Sequence, residues 1–228
     1  MSTLNQLLRT VTDKTSVTDA AGTAERAFLV RAYNEGVRQL LLDTRCQVEP
    51  ITIALTAGDS EYDLTSYNIL AVVDYVNTDD NRSSLWVAPT SEVLARRLWG
   101  SQGAARRFTV LGTDLMIVNP TPAEDGEFTF YAVVQPTELT TDDGETDLAD
   151  QIPAFAQKGV EAWMCIEASE KVKDFQGVQY YTARYKEECV KTRKRMRQMA
   201  GRYLPGSPVP GYPGDGGRFA DNSFDDGR

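Results

Sequence analysis

Apolar residues return every three or four positions between Ala24 and Thr44. From Pro50 onward they alternate, and after Pro153 the three-and-four spacing comes back. A helix shows one stripe per 3.6 residues and a strand one face per two. The double change of period therefore cuts the chain into helices, a β section and helices again. The opening stretch from about Ser2 to Val11 carries Leu4, Leu7, Leu8 and Val11 at helical spacing, and "TDKTSVTDAAGT" breaks it. The second helix puts Ala24, Ala27, Phe28, Ala32, Tyr33, Val37, Leu40 and Leu41 on one side, with Thr23 as N-cap. Arg26, Glu35, Arg38 and Gln39 fall mostly on the other.

In the β section, "ITIALTAGDSEYDL" reads as two short strands about an Ala-Gly-Asp turn. "ILAVVDYVNTDDNRSSLWVAPTS" reads as two strands around a polar loop, and "SEVLARRLWG" as a short helix capped by Ser91. "RRFTVLGTDLMIVNPTP" bends at Gly112-Thr113. "GEFTFYAVVQP" alternates Phe128, Phe130, Ala132 and Val134 against Glu127, Thr129 and Tyr131. The section is expected to be antiparallel. Helix resumes after "DDGETDLAD", with Asp150 as cap and Pro153 in the first turn, where a missing N–H costs nothing. Gly177 marks a turn. A last helix sets Val178, Tyr181, Tyr185, Cys189, Met196 and Met199 on one side. The expected fold is α+β: residues 1–46 and 152–202 form a helical bundle, residues 47–151 an inserted antiparallel β domain with one short helix, and residues 203–228 an extended C-terminal arm. The terminal helices pack together, because each has an apolar face to bury.

Chemistry is scarce. The chain has no histidine, which removes the commonest general base, the Ser/His and Cys/His arrangements and most zinc sites. No phosphate-cradling glycine loop occurs, since "PGDGGR" follows no strand and opens no helix. The run from Asp142 to Asp150 puts Leu148 where a calcium loop needs glycine, so it reads as a solvated acidic turn. Cys46, Cys165 and Cys189 are scattered and read as small buried hydrophobes in a reducing compartment. No cofactor, metal or enzymatic activity is expected. No secretory signal and no membrane anchor is read, the apolar runs being short, as in "ILAVV".

Net charge is −9, which argues against a protein that wraps nucleic acid by neutralising phosphates. The balance is uneven, however. The last helix carries Arg184, Lys191, Lys194, Arg195 and Arg197, a candidate surface for an acidic partner. Beyond it, "GRYLPGSPVPGYPGDGGRFADNSFDDGR" is too rich in Gly and Pro to build its own core. Its spaced anchors Tyr203, Leu204, Tyr212, Phe219 and Phe224 suit a segment that orders on a partner.

The blocks "TIALTAGDSEYDL", "LWVAPTSEVLARRLW", "RRFTVLGTDLMIVNPTP", "FTFYAVVQPTEL", "IPAFAQKGVEAWMCIEASEK" and "YYTARYKEEC" together resemble the head-to-tail adaptor (connector) proteins of tailed bacteriophages, the tail tubular protein A type. The resemblance spans about Leu4 to Met199. It implies a homo-oligomeric ring, usually of twelve subunits, beneath the portal protein. Such a ring meets a downstream tail or nozzle protein and continues the channel through which double-stranded DNA leaves. It further implies a virion protein that assembles in the host cytoplasm, with the C-terminal arm on the portal. An acidic channel wall would not trap DNA on its way out. Two readings of other classes stay open at this point. One is a tail-associated module whose β domain binds a ligand or receptor. The other is a carboxylate hydrolase using Asp142 and Asp143, for which the sequence offers no pocket constellation.

Overall fold

The computed structural model describes residues 3–17, 23–76, 86–87, 102–103, 105 and 107–200. The expected helix at 91–100, the polar loop with Asn81, Trp99 and the arm with Tyr203, Leu204, Tyr212, Phe219 and Phe224 lie outside them. The fold is α+β, as the change of period predicts.

Helix α1 (Leu4–Lys14) starts at a capping box in which Thr3 and Gln6 exchange side-chain-to-backbone bonds. It runs three residues past the expected end, and over that last turn Thr12 and Thr15 fold their hydroxyls back onto the Leu8 and Val11 carbonyls. Helix α2 (Ala24–Thr44) has the expected bounds and the expected Thr23 cap. Its buried stripe is rotated from expectation, however. Leu29 and Val30 are inside while Ala24 and Ala27 are exposed. The wider face follows from α2 being covered both by the other helices and by the chain around Leu139.

Strands β1 (Glu49–Leu55) and β2 (Glu61–Asp63) flank the Ala57-Gly58 turn, where Gly58 takes φ 88°. Then follow β3 (Ile69–Val76), β4 (Trp86–Val87), β5 (Gln102–Gly103), β6 (Arg107–Leu111), β7 (Leu115–Asn119), β8 (Thr121–Pro122) and β9 (Gly126–Val134). One sheet has the order β1-β9-β3, antiparallel throughout; a second has β2-β7-β6-β4; β5 and β8 form a third. Two short pairings, β4 with β6 and β5 with β8, are parallel, which corrects the all-antiparallel expectation. Strands β3 and β4 sit in different sheets and so are no hairpin. The β6–β7 hairpin turns at Gly112, φ 64°, as its Gly-Thr pair suggests. Phe108, Phe128 and Phe130 join the two larger sheets, with ring centroids 5.1–6.1 Å apart.

Strand β9 does not alternate cleanly, since Thr129 and Val133 are buried along with Phe128, Phe130 and Ala132. It is the central strand, with both faces covered. Val133 belongs to the helical core, and Thr129 shares a hydroxyl bond of 2.8 Å with Thr52.

The segment after β9 corrects the helix start. Asp147, not Asp150, caps a short 3-10 turn at Leu148–Asp150, and α3 begins only at Gln157 (Gln157–Lys171). Pro153 instead heads a tight turn whose carbonyl accepts from Ala156 N. Helix α4 (Phe175–Ala200) contains Gly177 in its first turn rather than before it. Asp174 caps that turn through Gly177 N at 3.0 Å, and Lys173 at φ 60° makes the bend. Helices α2 and α3 cross closely where both carry glycine. A Cβ on Gly36 would stand 3.0 Å from Trp163, and one on Gly159 would stand 2.7 Å from Leu40. The helices before and after the β section thus share one core. The sheet core around Phe128 is a separate cluster.

Candidate docking surface

Two faces of α4 differ in kind. Tyr181, Tyr185, Glu188, Cys189, Thr192 and Met196 recur at helical spacing toward α1, α2 and α3. Tyr185, Glu188, Cys189 and Thr192 are buried, whereas Met199, expected on this face, is 48% exposed beyond the bundle's edge. The Tyr185 ring meets Trp163 edge-on at 5.3 Å, and its hydroxyl donates to Asp43 Oδ2 at 2.6 Å. Tyr181 donates to the Lys14 carbonyl at 3.3 Å. The tyrosine stripe is therefore bundle core. Burial and then the Asp43 bond push the Tyr185 phenol far above its usual range.

The five cations expected as a contact surface do not act as one group. Arg184 and Lys191 are occupied by acids of their own helix. Arg184 reaches Glu187 at 3.3 Å and Glu188 at 3.4 Å, while Lys191 reaches Glu187 at 2.7 Å and Glu188 at 2.9 Å. The Lys191 bond lowers the Glu187 carboxyl and the Glu187 bond raises the Lys191 amine, two views of the same pairing. Glu188 is only 5% exposed; its two cation partners make that burial tolerable. Arg193 donates Nε to the Asp43 carbonyl at 3.1 Å, tying α4 to the end of α2.

Lys194, Arg195 and Arg197 are exposed, and no carboxylate among the described residues lies within ion-pair distance of them. Lys194 and Arg197 fall with Ala183, Lys186 and Val190 on a single stripe opposite the core, all five exposed. Val190 is 61% exposed in the middle of it. Sequence reasoning missed Lys186 and Val190. The signal was present in the spacing 183, 186, 190, 194, 197, but a buried face had to be placed before its opposite could be read.

The opposite charge gathers elsewhere. Residues 138–150 hold six acids and no base. The expectation of a plainly solvated turn needs correcting, because several of these acids build structure. Asp143 takes the Thr140 N–H at 2.6 Å and its hydroxyl at 2.8 Å, which hold its carboxyl below the usual range. Glu145 accepts from Asn5 at 2.8 Å. Arg26, expected outside, is buried. It donates to the Thr141 carbonyl and to Asn5, so it clasps this loop to α1 and α2. Glu138, Asp142 and Asp150 stay exposed. Between the loop and α2 lies a groove of about 340 Å³ with Ala27, Val30 and Leu139 among its lining and Glu35 and Glu138 at its edge.

A second groove of about 380 Å³ lies between the end of α1 and the α3–α4 pair. Lys14 and Glu161 pair directly across it, and Tyr180 stands 64% exposed at its edge. Cys165 beneath is buried, and burial pushes its thiol up to about 12. Cys46 and Cys189 are buried too, with thiols raised for the same first reason, so all three are the small buried hydrophobes expected. Among the described residues no cluster of His, Cys, Asp and Glu could hold a metal ion. No helix there is long and apolar enough to cross a membrane.

No curated protein matches the chain. A family model described as SU10 adaptor protein matches residues 2–208, nearly the whole sequence. That span takes in both the helical core and the sheets, so the match concerns the entire architecture. The chain belongs to the SU10 adaptor family, phage structural proteins of the head-to-tail junction.

Proposed function

We propose that this protein forms an adaptor ring, dodecameric, that joins the portal to the tail and continues the DNA exit channel. The observation that carries the reading is the family match over residues 2–208. The helical part (residues 1–46 and 152–202) forms the ring wall, and the β part (47–151) extends it toward the downstream tail or nozzle protein. The arm, residues 203–228, docks on the portal with Tyr203, Leu204, Tyr212, Phe219 and Phe224 as anchors. On the last helix Lys194, Arg195 and Arg197 offer the contact surface, while Arg184 and Lys191 of the same basic set hold Glu187 and Glu188 in place. The protein is structural rather than enzymatic. It assembles in the host cytoplasm and remains in the virion. Net charge supports the channel role, since a wall with −9 per subunit repels the exiting genome instead of binding it.

The arm supplies assembly order. A segment that pays its ordering entropy only on a completed portal attaches only there. The test removes residues after Leu204. The shortened protein should keep the helical content and melting temperature of the full chain yet fail to join DNA-filled, tailless heads. A shortened protein that joins such heads as well as the full chain would sink the arm's role.

A further inference from the structure

A closed ring of identical subunits needs two different patches on each subunit that fit one another, because each contact is head to tail. Two such patches stand on this chain. The outer stripe of α4 offers Ala183, Lys186, Val190, Lys194 and Arg197, an apolar residue flanked by three cations that no described carboxylate neutralises. The groove between α2 and residues 138–141 is lined by Ala27, Val30 and Leu139, by the carboxylates Glu35 and Glu138 and by one cation, Arg31; Glu35 also stands 3.9 Å from Arg38 of its own helix, an exposed pair. The acidic loop stands directly behind it.

The two patches do not satisfy each other within one subunit. Arg26 anchors the acidic loop at one end of α2 through the Thr141 carbonyl, and Asp43 holds α4 at the other end through Arg193 and Tyr185. Seventeen residues of helix separate them, about 26 Å at 1.5 Å per residue. Glu35 stands nearer, eight residues or about 12 Å along α2 from Asp43, yet no ion pair among the described residues joins the two patches. From Lys186 to Arg197, six bases face two acids, a surplus of four; residues 138–150 carry six acids and no base. Glu35 also has acidic neighbours on α3. Burial raises the Glu167 carboxyl, and Glu170 and Glu35 beside it raise it further. A cation arriving at Glu35 relieves that repulsion.

We propose that the outer stripe of α4 docks into the α2–138–141 groove of the next copy of this chain. Val190 meets its apolar lining, and Lys186, Lys194 and Arg197 meet Glu35, Glu138 and the acidic loop. The inference rests on the ring reading above. The apolar residue at the centre of the stripe favours a protein groove over a phosphate backbone, which offers nothing to Val190.

The test exchanges charges. One variant carries Lys194→Glu and Arg197→Glu, a second carries Glu35→Lys and Glu138→Lys, and a third carries all four. All four positions are exposed, so each variant should melt with the wild type. Ring formation is scored by imaging on DNA-filled, tailless heads and by sedimentation of the free protein. Like charges brought together at an interface cost several kcal/mol. Each two-site variant alone should therefore lose assembly by at least about tenfold. An equal mixture of the two should recover it, because alternate contacts then pair swapped with swapped and native with native. The four-site chain should recover it too. Wild-type protein that forms no ring on heads or in solution overturns the ring reading itself. A wild-type ring with undiminished assembly by both two-site variants overturns the surface assignment alone. So does a loss that neither the mixture nor the four-site chain repairs, or a first variant that assembles normally and loses only binding to DNA or portal.

Discussion

Gly159→Ala tests how closely α2 and α3 approach, and its sign depends on the neighbour. Alanine in place of a helical glycine gains up to about 1 kcal/mol from backbone entropy. Here the new methyl would stand 2.7 Å from Leu40 Cδ1 and 3.2 Å from Cδ2. Leu40 is fully buried, so it cannot swing into solvent, and forcing a methyl into such a core costs about 1–3 kcal/mol. The packing cost wins, and the variant should lose about 1 kcal/mol, or about 2–4 °C in melting temperature for a chain of this size. Leu40→Ala alone should cost about 3–5 kcal/mol by leaving a cavity. In that background the obstructing methyls are gone. Gly159→Ala should then stabilise by about 0.5–1 kcal/mol, reversing its sign. Urea unfolding of the four proteins, with midpoints and slopes fitted together, measures the cycle. If Gly159→Ala stabilises both backgrounds equally, the crossing is looser than described and the reasoning fails.

Other consequences follow from the same structure. Phe128→Ala removes a fully buried ring that touches Phe108 and Phe130, and should cost about 3–5 kcal/mol by urea unfolding. Tyr33→Phe deletes a buried hydroxyl with no hydrogen-bond partner among the described residues, so it should be neutral or stabilise by about 1 kcal/mol at neutral pH. Burial holds the Tyr33 phenol above its unfolded value, so its contribution is complete below about pH 10 and is lost as pH rises further. Stability of the wild type should fall above that pH by about 1.4 kcal/mol per unit for this group, and Tyr33→Phe should remove that share of the slope. Cys46, Cys165 and Cys189 should stay unreactive to an aromatic disulfide reagent in the native protein, and all three should react in denaturant. Fast labelling of any of them in the native state would contradict its burial.

The elements that the sequence discloses are those set by local period. Helix α2 has its expected bounds because an unbroken apolar repeat and a capping threonine agree over twenty-one residues. The β6–β7 turn is legible because one glycine must take positive φ there. What escapes are features decided by neighbours distant in sequence. Arg26 looks like a solvated charge until the loop at Thr141 folds over it, 115 residues away. Thr129 and Val133 look outward-facing until β9 becomes the central strand of its sheet. Asp150 has the right chemistry for a cap, but Asp147 closes its own short turn first and the chain spends six more residues before α3. The candidate surface behaves the same way. Composition reveals a basic helix, whereas the division into Arg184 and Lys191, neutralised by their own helix, and Lys194 and Arg197, which no described carboxylate pairs, depends on which face the core claims.

A ring of many copies of this chain on the portal, as proposed above, is large enough to be seen. Electron cryo-microscopy of DNA-filled, tailless heads, imaged with and without the purified protein, tests it most directly. A ring of added density should stand coaxial with the portal vertex, its channel continuous with the portal channel, only when the protein is present. Heads that stay unchanged in the presence of excess folded protein, or density bound away from that vertex, would contradict it.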